Sequence, residues 1–186
     1  MTVKDVLKAT ATFTRLDDVS EFLNDENHNG GNAAATAKKV NMLVSLCNLV
    51  VSELAATYIP MIYAETVSAV NGKIRFSDLY YNVTRMLSVK RGENQVDFEF
   101  TPEYAITGDG TFTVEYEYAP PEFGIDDEIK FSLNVSSVLL AYGLAAEYCV
   151  TEGRFEEAVM WRKRYGFGVE KLVAPKSATL KGRCWL

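Results

Sequence analysis

A single histidine, His28, in 186 residues leaves little room for Ser–His–Asp or Cys–His chemistry. It falls in the polar, glycine-rich run of residues 24–32, which reads as a loop, so it is read as an exposed loop residue. Cysteine is also scarce. Cys47, Cys149 and Cys184 are odd in number and show no CxxC spacing, which argues against a zinc site or a dithiol redox motif. Cys47 and Cys149 sit in apolar helical patterns and read as small buried hydrophobes of a protein made in a reducing cytoplasm. Neither GxGxxG nor GxxxxGK[ST] is present, so no phosphate-cradling loop is expected. No run reaches the ~18 apolar residues of a spanning helix, residues 137–151 being interrupted by Glu147. Met1-Thr2-Val3-Lys4-Asp5 carries no apolar signal region. The sequence thus points to no enzyme, no cofactor, no metal and no membrane.

What is present is enough for a folded core. Hydrophobic residues make up 48% and charged residues 24%, which fits a globular chain of one domain, with or without an inserted subdomain. The net charge of −6 argues against a protein built to grip nucleic-acid backbone.

Thr2 and Asp5 have capping-box spacing ahead of Val3, Val6, Leu7 and Phe13, which predicts a first helix. A short helix is predicted over 17–23. A long one is predicted over 33–58, with Val40, Leu43, Cys47, Val50, Val51 and Leu54 on a stripe wide enough for the centre of a bundle; Pro60 ends it. The period then changes to two. Residues 65–70 read as a strand, Asn71-Gly72 as a type I′ turn, and residues 73–76 as the returning strand. Residues 83–90, 95–100 and 111–118 read as further strands, with a turn at Gly108-Asp109-Gly110, and Pro120-Pro121 closes the region. Helix resumes near 134 and runs to Gly153, and a last helix spans about 155–173 before Pro175. The expected class is α+β: a helical bundle of about four helices with an inserted small antiparallel β subdomain. Residues 1–60 and 130–175 form the helical domain, 61–129 the insertion and 176–186 a C-terminal docking tail.

Charge is segregated. Between Glu93 and Glu128 there are eleven acidic residues and neither Lys nor Arg, whereas the chain after Glu152 is net basic. In Asp97-Phe98-Glu99-Phe100 and Glu115-Tyr116-Glu117-Tyr118 the acids share one strand face and the aromatics the other. Paired, such strands would set like charges together. Asp97, Glu99, Glu115 and Glu117 therefore form either a solvated face beside Arg75, Arg85, Lys90 and Arg91, or a surface turned to passing DNA or a basic partner. Asp126-Asp127-Glu128 lacks calcium-loop spacing and reads as the acidic entry to the third helix. Gly166 and Gly168, inside the last helix, point to close helix approach, a kink or plain tolerance. The tail holds Leu180, Lys181, Arg183, Trp185 and Leu186, a mixture suited to docking rather than to a frayed end.

The segment Leu140-Ala141-Tyr142-Gly143-Leu144-Ala145-Ala146-Glu147-Tyr148-Cys149, followed by Glu152-Gly153-Arg154-Phe155-Glu156-Glu157-Ala158 and Trp161-Arg162-Lys163-Arg164-Tyr165, resembles the C-terminal helix pair of tailed-bacteriophage head–tail connector (portal adaptor) proteins. The Val3-Lys4-Asp5-Val6-Leu7 helix, the long helix ending at Tyr58-Ile59-Pro60 and the β insertion follow the same order over nearly the whole chain. The resemblance implies a virion protein of the neck, made in the host cytoplasm. Its homo-oligomeric ring, commonly of twelve copies, would lie beneath the portal protein, extend the DNA channel without binding DNA specifically, and receive a downstream neck or tail protein. By the same analogy residues 180–186 meet the portal or a neighbouring subunit. A neck or tail-completion protein of another kind, and an acidic module that captures a cationic partner, stand as alternatives.

Overall fold

A computed structural model describes residues 1–24 and 33–174. The described residues form an α+β fold with five α-helices and two antiparallel sheets. The helices are α1 (Val3–Thr14), α2 (Asp17–Asn24), α3 (Ala33–Thr57), α4 (Ser137–Thr151) and α5 (Phe155–Val173). All strands fall between α3 and α4: β1 (Met61–Ala69), β2 (Lys73–Arg75), β3 (Val83–Arg91), β4 (Asn94–Gln95), β5 (Glu99–Phe100), β6 (Tyr104–Ile106) and β7 (Gly110–Tyr118).

The capping box at α1 forms as expected: the Asp5 amide donates to the Thr2 hydroxyl at 3.2 Å, and the Thr2 amide donates to the Asp5 carboxylate at 2.9 Å. These bonds hold the Asp5 carboxyl below its usual range. The next free amides of α1 are met by a distant segment. Val3 donates to the Asp127 carbonyl at 3.1 Å and Lys4 to the Ile125 carbonyl at 2.8 Å, while the Ile129 amide donates to the Met1 carbonyl at 2.8 Å. Asp126-Asp127-Glu128 therefore lies against the start of the first helix rather than at the entry to a later one. Helix α4 instead starts at a Ser136 cap, whose hydroxyl accepts from the Leu139 amide at 3.2 Å.

The centre of the helical core is α4, not the long α3. Leu139, Leu140, Ala141, Leu144, Ala145, Ala146, Tyr148 and Cys149 are all buried, and α1, α3 and α5 each pack on this helix. Its small residues make this possible. A Cβ at Gly143 would lie 2.7 Å from Val50 Cγ1 of α3 and 3.1 Å from the Tyr165 ring of α5. Gly143→Ala is accordingly expected to cost about 1–2 kcal/mol, overpacking outweighing the gain in helix propensity. Urea denaturation checks this; an unchanged or raised midpoint would show that α3 and α5 give way freely. At Gly168 a Cβ would lie 2.5 Å from Leu139 Cδ1, so that glycine marks a close approach to α4, and α5 runs unbroken for 19 residues.

Residues Ala34–Thr57 of α3 are long and apolar enough, with mean hydropathy 1.5, to cross a membrane by length and composition alone. Here one side, Val40, Leu43, Cys47, Val50, Val51 and Leu54, is buried in the core, while Asn41, Ser45, Ser52 and Glu53 are exposed on the other. Lys39 of this helix pairs with Asp18 of α2 at 2.6 Å.

The strands divide into a four-stranded sheet, ordered β1-β7-β3-β4, and a three-stranded sheet, ordered β2-β6-β5. The two enclose their own core of Ile74, Met86, Val89, Ala105, Phe112, Val114 and Tyr116. Asn71 and Gly72 both have positive φ, 55° and 71°, as a type I′ turn requires. The turn does not fold β2 back along β1, however: after the single Val70–Lys73 bridge, β2 crosses to the other sheet and pairs with β6. Residues 95–100 likewise do not form one strand. Gln95 pairs with β3, and Glu99 and Phe100 pair with β6 in the second sheet.

Candidate functional site

The sheet faces place the acidic residues. Along β7, Phe112, Val114 and Tyr116 point into the β core, and Thr111, Thr113, Glu115 and Glu117 point the other way. Glu117 stands opposite Arg85 of β3 and Ile62 of β1; Glu115 stands opposite Ser88 and Ala64, with the Ser88 hydroxyl donating to it at 3.2 Å. Each acid therefore has a basic or hydroxyl neighbour on the β3 side and a small or apolar one on the β1 side. Asp97 and Glu99 do not join them, because Glu99 pairs with Ile106 in the other sheet and Asp97 lies in the crossing between the two. The acidic strands thus do not pair with each other, and the like-charge clash expected from the sequence is absent among the described residues.

At the open side of the same sheet, β1 pairs with β7 alone over nine unbroken positions. Among the described residues no other hydrogen bond reaches the backbone of Met61–Ala69. Its outward side chains Ile62, Ala64, Thr66 and Ser68 are exposed.

A tyrosine cluster, not foreseen from the sequence, closes the inner end of this sheet. Tyr81 stacks on Tyr118 at 4.2 Å, and Tyr63 and Tyr80 meet Tyr81 edge-on at 5.1 and 4.6 Å. The Tyr116 hydroxyl donates to Glu65 Oε1 at 2.5 Å and accepts from the Tyr81 amide at 3.3 Å, and the Tyr80 amide also donates to Glu65 at 2.9 Å. Burial, then the Glu65 carboxylate, pushes the Tyr116 phenol far up. The doublet Tyr80-Tyr81 and the Tyr116/Tyr118 alternation were the available signals.

On the helical side, a groove of about 330 Å³ runs between α3, α4 and α5, lined by Val50, Glu53, Glu147, Arg162, Tyr165 and Glu170 among others. Arg162 bridges to Glu147 at 2.6 Å. The Tyr165 hydroxyl is buried there without a hydrogen-bond partner, and burial pushes its phenol far up. The outer side of α5 leaves Phe155, Val159, Met160 and Phe167 exposed.

Cys47 and Cys149 are buried free thiols, as their apolar surroundings in sequence suggested; burial pushes Cys47 up to about 12. Among the described residues no group of three or more His, Cys, Asp or Glu side chains is placed to hold a metal ion. His28 and the tail residues Leu180, Lys181, Arg183, Trp185 and Leu186 lie outside the described residues.

The chain matches no protein-family model and no curated protein. Its chemistry is therefore read from the surfaces themselves. Among the described residues they are a sheet face where Glu115 and Glu117 stand beside Arg85 and Ser88, a strand edge without a ladder partner, a helix with apolar residues on its outside, and a groove lined by Glu53, Glu147 and Glu170.

Proposed function

We propose that the chain is a structural virion protein, a ring-forming adaptor that joins the portal to the neck or tail and extends the DNA channel. In this reading the helices of residues 1–60 and 130–175 form one bundle domain, 61–129 is a β subdomain inserted into it, and the tail of 176–186 links to the portal or to a neighbouring copy. The adaptor is made in the host cytoplasm and ends in the virion neck. The protein acts without catalysis or cofactor.

The observation that carries this reading is the surface the fold leaves unused. On α5, Phe155, Val159 and Phe167 are 65%, 60% and 59% exposed, and β1 keeps a bare nine-residue edge. These lie on different elements, and a head-to-tail ring needs two unlike faces on each subunit. In this reading Glu115 and Glu117, on the outward face of β7, turn to the channel or to a partner.

The test is negative-stain microscopy and mass photometry of the purified protein, alone and mixed with portal from the same genome neighbourhood. Rings, or density added at the portal's narrow end, are expected, and deletion of residues 180–186 should abolish them. A monomer that ignores the portal at micromolar concentration would sink the adaptor assignment. The groove favours a second reading, an acidic module that captures a cationic partner, because Glu53, Glu147 and Glu170 outnumber Arg162 there. That reading predicts a monomer whose binding weakens steeply with salt.

A further inference from the structure

The two edges of the four-stranded sheet are built differently. The β3 edge carries register shifts at Val83/Arg85 and Met86/Ser88, is basic at Arg85, Lys90 and Arg91, and is partly covered by β4. Bulges and charges of this kind keep an edge from pairing with another chain. The β1 edge has none of them: its nine pairs are in unbroken register, and it contains no Lys, Arg or Pro. Its one charge, Glu65, is engaged inward by the Tyr116 hydroxyl and the Tyr80 amide. Such an edge is prepared to accept a strand.

The chain also holds a segment with the pattern to supply one. Residues 177–186 alternate with period two: Ala178, Leu180, Gly182, Cys184 and Leu186 on one side, Ser177, Thr179, Lys181, Arg183 and Trp185 on the other. We infer that residues 177–186 of a neighbouring copy add to the free edge of β1 as a fifth strand, deepening the ring reading above, on which this rests. Laid beside β1, the basic side shares a face with Ala64, Thr66 and Ser68, whose side chains are short. Glu115 and Glu117 lie one strand further, roughly 10 Å from the added strand and within range of long Lys and Arg side chains. The apolar side falls beside Tyr63 and Val67. The two acids that β3 leaves partly exposed thus gain cationic partners, and the edge amides and carbonyls of β1 gain ladder bonds.

The source is a neighbour rather than the same chain because of direction. Val169 and Glu170, in the last turns of α5, line the groove together with Glu53 and Tyr58, just before β1 begins at Met61. A tail leaving α5 there and laid on its own β1 would run parallel to it. A neighbour's tail can enter from the far end and pair antiparallel, as every strand pair in both sheets does. Donation from each copy to the next is a heterologous contact that closes into a ring.

The test uses the full chain carrying Tyr63→Cys, a partly exposed β1 position on the face that Cys184 would share, and a short bismaleimide at pH 7. Cys47 and Cys149 are buried, so the reactive thiols are the new one and Cys184. The expected result is a ladder of covalent multimers in which residues 63 and 184 are joined. Lys181→Glu with Arg183→Glu should lower the yield about tenfold, and Glu115→Arg with Glu117→Arg should restore it. Cross-linking confined to monomers would overturn the proposal by placing the tail on its own edge. Rings without a 63–184 link would overturn it while leaving the adaptor reading intact. Linked dimers without rings would keep the strand pairing and remove the ring.

Discussion

Trp161→Ala is expected to cost the fold about 3–5 kcal/mol, the usual range for deleting a buried indole. Trp161 is held in a group of three near-parallel rings drawn from three helices. Its centroid lies 5.3 Å from Phe13 of α1 and 5.7 Å from Tyr142 of α4, with interplanar angles of 21° and 20°. Phe13 and Tyr142 themselves are 5.2 Å apart, and the Arg164 guanidinium sits 4.9 Å from the indole. Removing the indole leaves a void that small neighbours such as Ala145, Ala146 and Ala158 cannot fill. Trp161→Phe separates packing from polarity. The indole Nε1 is buried with no hydrogen-bond partner, so the phenylalanine variant loses some area but also an unsatisfied donor, and should cost under about 1.5 kcal/mol. Equal costs for the two variants by urea denaturation would show that the area buried by the ring is not what holds the three helices together there.

The second large effect is alkaline. Cys47, Tyr116 and Tyr165 are buried, and burial raises all three, Cys47 from 9.0 to about 12 and the two phenols well above their ordinary range. In the unfolded chain these groups release protons from about pH 8.5 for the thiol and about pH 10 for the phenols, while the folded chain still holds them. Their contribution is complete below those values and is lost as pH rises, at up to about 1.4 kcal/mol per pH unit for each group. Stability should therefore be level near neutrality, begin to fall near pH 9 and fall more steeply above pH 10. Tyr165→Phe should remove one proton's share of that slope without loss at pH 7, because its hydroxyl has no partner to forfeit. A midpoint unchanged between pH 8 and 11 would contradict this.

The helices were legible because their signals are local. The Thr2/Asp5 box, the Pro60 stop and the 155–173 periodicity each concern residues within a few turns, and the elements fall within about three residues of the expected positions. The partners of the strands were not legible. A period of two says that residues 95–100 are extended but not to which sheet they belong, and the Asn71-Gly72 turn fixes a reversal without fixing what the next strand pairs with. The central role of α4 was hidden as well, because a wide apolar stripe drew attention to α3, while the close approach of Val50 and Tyr165 at Gly143 depends on residues far apart in sequence. Of the candidate surface, the sidedness of Glu115 and Glu117 was readable from alternation. Their separation from Asp97 and Glu99 was not, since it depends on the chain changing sheets.

The clasp between residues 1–4 and 125–129 also sets a timetable for synthesis. The amides at the start of α1 wait for carbonyls made about 120 residues later, and the buried side of α1, Val3, Val6, Leu7 and Ala11, waits longer still for α4. At the usual pace of translation this is roughly 6–25 s in which the first helix has emerged without its partners. The β part, assembled from strands close in sequence, can fold during that interval. The helical part can close only after α4 has emerged, so the β part can be complete before the helices that flank it in sequence have met.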